Sequence, residues 1–125
     1  MRIRKQEPPD ASLDNEDVLT AAKISDALAH PARIQILRYI LVENLARRTV
    51  TNKDIVSVFN YAQATISQHL SKLIIGGLID VQKRGTSSCY YARIGRLDIF
   101  VGLLKKIESH ENAEAEGSTE KALRS

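Results

Sequence analysis

The chain has 125 residues, of which 43% are hydrophobic and 26% charged, and its formal net charge is +3. This length and composition predict one soluble folded domain and argue against a wholly disordered chain. No apolar run approaches the roughly 18 to 20 residues of a membrane span, and the basic start of the chain leads into polar residues instead of a signal-peptide core. The single cysteine, Cys89, cannot form an intramolecular disulfide, so we expect a reducing, cytoplasmic setting.

The small net charge conceals an uneven distribution along the chain. Residues 1–17 and 111–125 each carry −2, whereas residues 18–110 carry +7, and residues 44–96 hold eight basic side chains against two acidic ones. A basic domain favours a polyanionic partner. The polar ends lack an apolar period, which predicts a flexible N-terminal tail at 1–12, a domain at 13–110 and a disordered acidic C-terminal tail at 111–125.

Two helices are predicted in the first third of the domain. The first starts near Ser12 or Asp14 and ends at His30 and Pro31, and Pro31 opens a second helix that runs to about Val42. The residues at helical spacing in the first helix are Val18, Ala21, Ala22, Ser25 and Leu28, and the second helix is apolar over much of its circumference at Ile34, Ile36, Leu37, Ile40 and Leu41.

Two shorter helices follow a predicted strand at Thr49 and Val50. Thr51 with Asp54 predicts the capped start of a third helix, which ends by Asn60, and a fourth helix runs from about Ala62 to Ile75. The positions expected to face the core are Ile55, Val58 and Phe59 in the third helix and Ile66, Leu70, Leu73 and Ile74 in the fourth.

The opposite face of the fourth helix is short, polar and almost uncharged. It carries Ala64, Thr65, Gln68, Ser71, Lys72 and Ile75. A helix that needed only solubility would show Glu and Lys there, whereas these amides and hydroxyls can both donate and accept hydrogen bonds.

A hairpin and a long helix complete the prediction. Gly76 and Gly77 end the fourth helix, and strands at 78–83 and 88–94 flank a basic tip at 84–87. The last helix, about 96–110, has more apolar surface than one small domain needs. Its stripe comprises Leu97, Phe100, Val101, Leu104 and Ile107, flanked by Ile99 and Leu103.

This order of elements predicts a winged helix-turn-helix, mainly α with a small β-hairpin. A helix fits the major groove of DNA, where its polar side chains match the edges of the base pairs. Lys and Arg side chains on the hairpin hold phosphates. The candidates for base contact are Gln63, Thr65, Ser67 and Gln68. Ser71 and Lys72 are expected to reach the DNA backbone, and Lys83, Arg84 and Thr86 to contact phosphate or the minor groove.

Three segments of the sequence resemble the ArsR family of winged-helix repressors. They are the string from Ala27 to Leu37, the string from Ala64 to Leu73, and Gly77-Leu78-Ile79 with Arg84-Gly85 before Tyr90-Tyr91. The resemblance implies a homodimer on a palindromic operator, paired through its first and last helices, with repression relieved by an inducer that the sequence does not name. In this chain the dimer residues would be Val18, Leu97, Phe100, Val101, Leu104 and Ile107.

The chain departs from that family at its metal sites. Where metal sensors of the family carry a cysteine pair, this chain has Thr51, Asn52 and Lys53, and the last helix offers Arg96, Asp98, Ser109 and Asn112 in place of Asp and His ligands. We therefore expect no metal site and no cofactor. The serine that caps the recognition helix in the family is replaced by Ala62, which leaves Asn60 or water to satisfy those amides.

Several residues have more than one interpretation. His30 is expected to cap or join helices, and His69 to pack beside the buried stripe or touch phosphate. Cys89 is expected to pack as a small apolar residue, with a redox-responsive repressor as the alternative. No motif predicts an enzyme, and a winged helix that binds protein or RNA is the remaining alternative.

Overall fold

The computed structural model of the chain describes residues 13–114, with side chains to residue 109, so the predicted tail at 1–12 and residues 115–125 lie outside the described residues. The elements are α1 (Asn15–Ala27), α2 (Pro31–Leu45), β1 (Val50–Thr51), α3 (Asn52–Phe59), α4 (Gln63–Ile75), β2 (Ile79–Arg84), β3 (Ser87–Ala92) and α5 (Ile94–Glu114). The predicted order of elements is confirmed. The last helix extends four residues beyond its predicted end, so residues 111–114 are helical.

The first two helices begin where local chemistry places them. The Asp14 carboxylate accepts a hydrogen bond from the Asp17 N–H at 2.8 Å, which caps α1. His30 caps α2 as expected, because its Nδ1 accepts from the Ala32 N–H at 3.1 Å while Pro31 occupies the first helical position. α2 continues three residues past its predicted end.

α3 is closed at both ends by the residues that the sequence indicated. The Thr51 hydroxyl accepts from the Asp54 N–H at 3.3 Å, and the Asp54 carboxylate accepts from the Thr51 N–H at 2.9 Å, which completes a capping box. Asn60 follows α3 in the left-handed conformation, with φ of 56°, and turns the chain toward α4.

The sheet is antiparallel in the order β1-β3-β2, so the wing hairpin carries a third short strand. Gly85 and Thr86 form its two-residue turn, and only Gly85 has a positive φ, as a type II′ turn requires. Beyond the last β1–β3 pair, the Asn44 side chain extends the sheet. Its Oδ1 accepts from the Ala92 N–H at 2.8 Å and its Nδ2 donates to the Arg48 carbonyl at 3.3 Å.

The core lies where α1, α2, α3 and α4 meet the sheet. Its fully buried members are Ile24, Ile36, Ile40, Val50, Ile55, Ile66, Leu73, Leu78 and Ile79. Three predicted core positions are wrong: Ile34, Val58 and Ile74 are exposed. α4 is rotated so that His69 occupies the buried stripe with Ile66, Leu70 and Leu73, and Ile74 falls outside it.

Candidate nucleic-acid interface

The polar face of α4 is open to solvent. Gln63, Ser67, Gln68, Ser71 and Lys72 are exposed, and Thr65 is half-buried at the edge of the buried stripe. Amide and hydroxyl groups on this face have the donor and acceptor character that base edges in the major groove require. The structure therefore presents the side chains that the sequence proposed for base contact on the outer surface of one helix.

The N-terminal end of α4 has free backbone donors. Ala62 occupies the cap position in an extended conformation and supplies no side-chain hydrogen bond to the first turn. The start of α4 adjoins a small groove of about 170 Å³ lined by Asn52, Lys53, Val56, Ser57 and Gln63. Lys53 is a further candidate for DNA contact that the sequence did not indicate. It is exposed, and a basic side chain in the first helix of a helix-turn-helix can contact the phosphate backbone of DNA.

The C-terminal end of α4 has its carbonyls satisfied. The Leu78 N–H donates to the Leu73 carbonyl at 3.0 Å and the Gly77 N–H donates to the Ile74 carbonyl at 2.9 Å. These two bonds form a Schellman motif, with Gly77 at φ of 76° in the left-handed position and Leu73 packed in the core with Leu78. The link from α4 to the wing is therefore short and well defined.

The wing presents basic and hydroxyl groups at its tip. Lys83, Arg84 and Thr86 are all exposed, and Arg84 pairs with Ser87 at the last rung before the turn. The hairpin is the longest pairing in the sheet, from Ile79 opposite Ala92 to the tip. Such a hairpin can carry positive charge away from the body of the domain toward a phosphate backbone.

Two histidines lie beside α4 and pack against each other. The rings of His30 and His69 are 4.8 Å apart between centroids, and the His69 Nδ1 is buried without a hydrogen-bond partner among the described residues. Burial lowers the pKa of His69, and nearby His30 and Arg33 lower it further. His69 therefore packs as a neutral ring, which agrees with the first of its two predicted roles.

Cys89 and Tyr90 are both buried although they point to opposite faces of β3. β3 is flanked by β1 and β2 at its edges and also contacts α2 and α3. Cys89 packs as a small apolar residue, as expected, and only 3% of its surface is exposed to an oxidant. Tyr90 belongs to the core, and Tyr91 is half-buried on the other face.

An apolar surface remains uncovered on α1 and α5. Of the residues proposed for dimer contact, Val18, Val101, Leu104 and Ile107 are exposed, whereas Leu97 and Phe100 are half-buried and pack against the core. Leu19 adds a further exposed side chain on α1, and Leu103 anchors α5 in the domain. The two helices are in contact, and Lys106 Nζ lies 3.1 Å from the Asp17 carboxylate.

Residues 13–114 contain no cluster of three or more His, Cys, Asp or Glu side chains arranged to hold a metal ion. No helix within the same range is both long and apolar enough to cross a membrane.

Comparison with solved structures identifies the fold as a winged helix-turn-helix. An ArsR-like transcriptional regulator from Rhodococcus sp. RHA1 is 21% identical, with a TM-score of 0.60, and the alignment covers 86% of this chain and 92% of that one. A homodimeric winged helix-turn-helix DNA-binding domain from Mycobacterium bovis is 23% identical with the same coverage and a TM-score of 0.57. NolR from Sinorhizobium fredii is 23% identical with a TM-score of 0.58, over 83% and 96% of the two chains.

The fold is that of the winged helix-turn-helix class, in which α3 and α4 form the helix-turn-helix and β2 and β3 form the wing. Residues 30–81 match the model of the bacterial regulatory protein family arsR. The helix-turn-helix of this chain, with the start of its wing, is therefore similar to the ArsR family, in agreement with the resemblance seen in the sequence. None of the curated proteins matches the chain.

Proposed function

We propose that this protein is a homodimeric repressor that binds a palindromic operator in the cytoplasm and reads it with α4. The observation that carries the proposal is the exposed polar face of α4, on which Gln63, Ser67, Gln68 and Ser71 are free to meet base edges. Large apolar side chains, which a protein-binding face would favour, are exposed on α4 only at its C-terminal end, at Ile74 and Ile75. The domain at 13–110 supplies both the DNA-binding surface and the dimer surface.

The dimer is supported by the uncovered apolar side chains of α1 and α5. Val18, Leu19, Val101, Leu104 and Ile107 are all more than a third exposed, which leaves apolar surface that pairing of two copies would bury. A two-fold dimer presents two α4 helices, so its operator is an inverted repeat with half-site centres roughly 34–36 Å apart.

The inducer in this proposal is not a metal at the usual sites of the family. The first turn of α3 carries Thr51, Asn52 and Lys53, none of which is a soft ligand. The buried position of Cys89 gives no support to a thiol switch, so a redox-responsive repressor is not proposed.

The test first selects an operator for the protein from random duplex DNA. The affinity of the protein for this operator is then compared with its affinity for a scrambled duplex over a range of salt concentrations. Gln68→Ala should lower operator affinity by roughly 1–3 kcal/mol and relax base preference, because a bidentate amide contact is lost. Arg84→Ala should weaken binding to both duplexes by the same factor. It should also reduce the slope of log affinity against log salt concentration by about one.

Matched controls are available on α2, away from the proposed DNA surface. Gln35 and Arg38 are exposed, so Gln35→Ala and Arg38→Ala remove the same chemical groups as the two test variants. Both controls should leave operator affinity unchanged. If the wild-type protein binds operator and scrambled DNA equally at physiological salt, or binds only RNA or a protein partner, the repressor proposal is wrong.

A further inference from the structure

Arg96 joins the first turn of α5 to the end of α4. Its Nε donates a hydrogen bond at 3.2 Å to the carbonyl of Gly76, the residue that caps α4. Arg96 is half-buried, and it forms no ion pair with an acidic residue of the described part of the chain. Its positive charge therefore complements the negative end of the α4 dipole.

Gly77 is required by the same contact. A Cβ built on Gly77 would lie 2.8 Å from the Arg96 Nε, in addition to the strain of a positive φ of 76°. The absence of a side chain at residue 77 is what lets the guanidinium reach the end of α4. The glycine and the arginine thus act as one contact between α4 and α5.

α1 holds the same end of α4. A Cβ on Gly76 would lie 2.5 Å from the Ala27 Cβ and 3.5 Å from the Lys23 carbonyl, so the backbone of α4 ends directly against α1. Ala27 is buried in this contact. The C-terminal end of the recognition helix is therefore fixed against both helices that carry the uncovered apolar surface.

We propose that Arg96 is a positioning residue that sets the spacing of the two recognition helices in the dimer. The inference rests on the proposed dimer and deepens it. If α1 and α5 pair across the two-fold axis, the contact of Arg96 with Gly76 fixes each α4 relative to that axis. The operator spacing that a dimer accepts depends on this rigidity, because the half-sites must lie where the two helices lie.

The experiment measures affinity for operators whose half-sites are separated by the optimal spacer or by one base pair more or less. One base pair moves a half-site by about 3.4 Å along the duplex. Arg96→Met removes the charge and the donor but keeps the apolar stem. It should reduce the affinity ratio between the optimal and altered spacers by about tenfold, as the loss of one charge-assisted hydrogen bond would. Affinity for a single half-site should not change.

Two further variants separate positioning from charge and from folding. Arg96→Lys keeps a charged donor and should retain most of the spacing preference. Arg93→Met removes the same charge three residues earlier, where Arg93 is exposed and its Nε lies 3.7 Å from the Asp80 carboxylate, and it should behave as wild type. If Arg96→Met lowers the affinity for every operator and for the single half-site by the same factor, Arg96 is a DNA contact or a general stability residue. That result overturns the inference.

A measurement without DNA distinguishes this inference from the proposed function. Spin labels on Ala64→Cys, in a Cys89→Ser background, report the distance between the two α4 helices of a dimer. We expect a narrow distance distribution that broadens on Arg96→Met. A dimer with the same narrow distribution in both proteins overturns the role of Arg96 alone, whereas a monomer overturns both the role of Arg96 and the proposed dimer.

Discussion

The two helices of the helix-turn-helix differ in how their ends are held. α3 has only eight residues, and both of its ends are closed by local side-chain and backbone chemistry, with a capping box at Thr51 and Asp54 and a left-handed Asn60. α4 starts at an alanine without a side-chain cap and ends in a Schellman motif that also packs into the core. α3 buries one residue, Ile55, and depends more on its caps, whereas α4 buries four residues and starts without a side-chain cap.

The largest effect is expected on the packed side of α4. Leu73→Ala should lower the free energy of unfolding by about 2–5 kcal/mol, because Leu73 is fully buried and its loss leaves a cavity. Ile74→Ala is the control, since the Ile74 side chain is 37% exposed, and it should cost less than about 1 kcal/mol. Urea denaturation measures both. Equal losses would show that α4 is not held mainly by its buried stripe.

A smaller effect is expected at the start of α3. Thr51→Ala removes the hydroxyl that accepts from the Asp54 N–H and should cost about 1–2 kcal/mol of unfolding free energy. Thr49→Ala is the matched control, because Thr49 is exposed and lies outside the capping box. If the two variants were equally stable in urea, the capping box would not be what holds α3.

A gain is expected at the start of α4. Ala62 already has the extended backbone of a cap residue, with φ of −62° and ψ of 147°, so a serine can accept from the first turn without rearrangement. Ala62→Ser should raise the free energy of unfolding by about 0.5–1 kcal/mol in the same assay. A loss of stability would mean that those amides already have partners that the serine displaces.

The smallest effect is expected from pH, and near neutral pH we expect it at His69 of α4. The pKa of His69 is lowered in the folded protein, so the unfolded chain binds a proton more readily as the pH falls below about 6.5. The contribution of neutral His69 to the free energy of unfolding is therefore fully present above that pH. It is lost as the pH falls through the pKa that His69 has in the folded protein. His69→Gln should flatten this part of the stability profile between about pH 7.5 and 5.5. An unchanged slope would assign the effect to another group.

Much of the fold could be predicted because its signals are local. Pro31, the Thr51 and Asp54 pair, Asn60 and the paired glycines each act on backbone within a few residues, and each marks the boundary it indicated. Buried faces were harder to predict. Ile74 and Val58 are as apolar as their buried neighbours, and which side of a short helix faces the core is set by the orientation of neighbouring elements.

The candidate DNA surface was predictable for a similar reason, since an uncharged polar face and a basic turn are visible in the sequence. Lys53 was missed because its approach to Gln63 depends on how α3 lies against the start of α4. The assignment of apolar residues on α5 was only partly possible. Sequence periodicity placed Phe100 and Leu104 on one stripe, but the structure turns Phe100 toward the core and leaves Leu104 exposed.

The sequence by itself determined the order of the elements, the caps of α1, α2 and α3, the basic domain between polar ends and the similarity of the helix-turn-helix to the ArsR family. Only the tertiary structure decided that His69 is a buried neutral ring, that Asn44 bridges Arg48 and Ala92, and that Arg96 reaches Gly76. Caps and turns depend on neighbours in the chain. The contacts of Asn44 with Ala92 and of Arg96 with Gly76 join residues 48 and 20 positions apart, and the rings of His30 and His69 come from different elements, so these contacts exist only once the elements have packed.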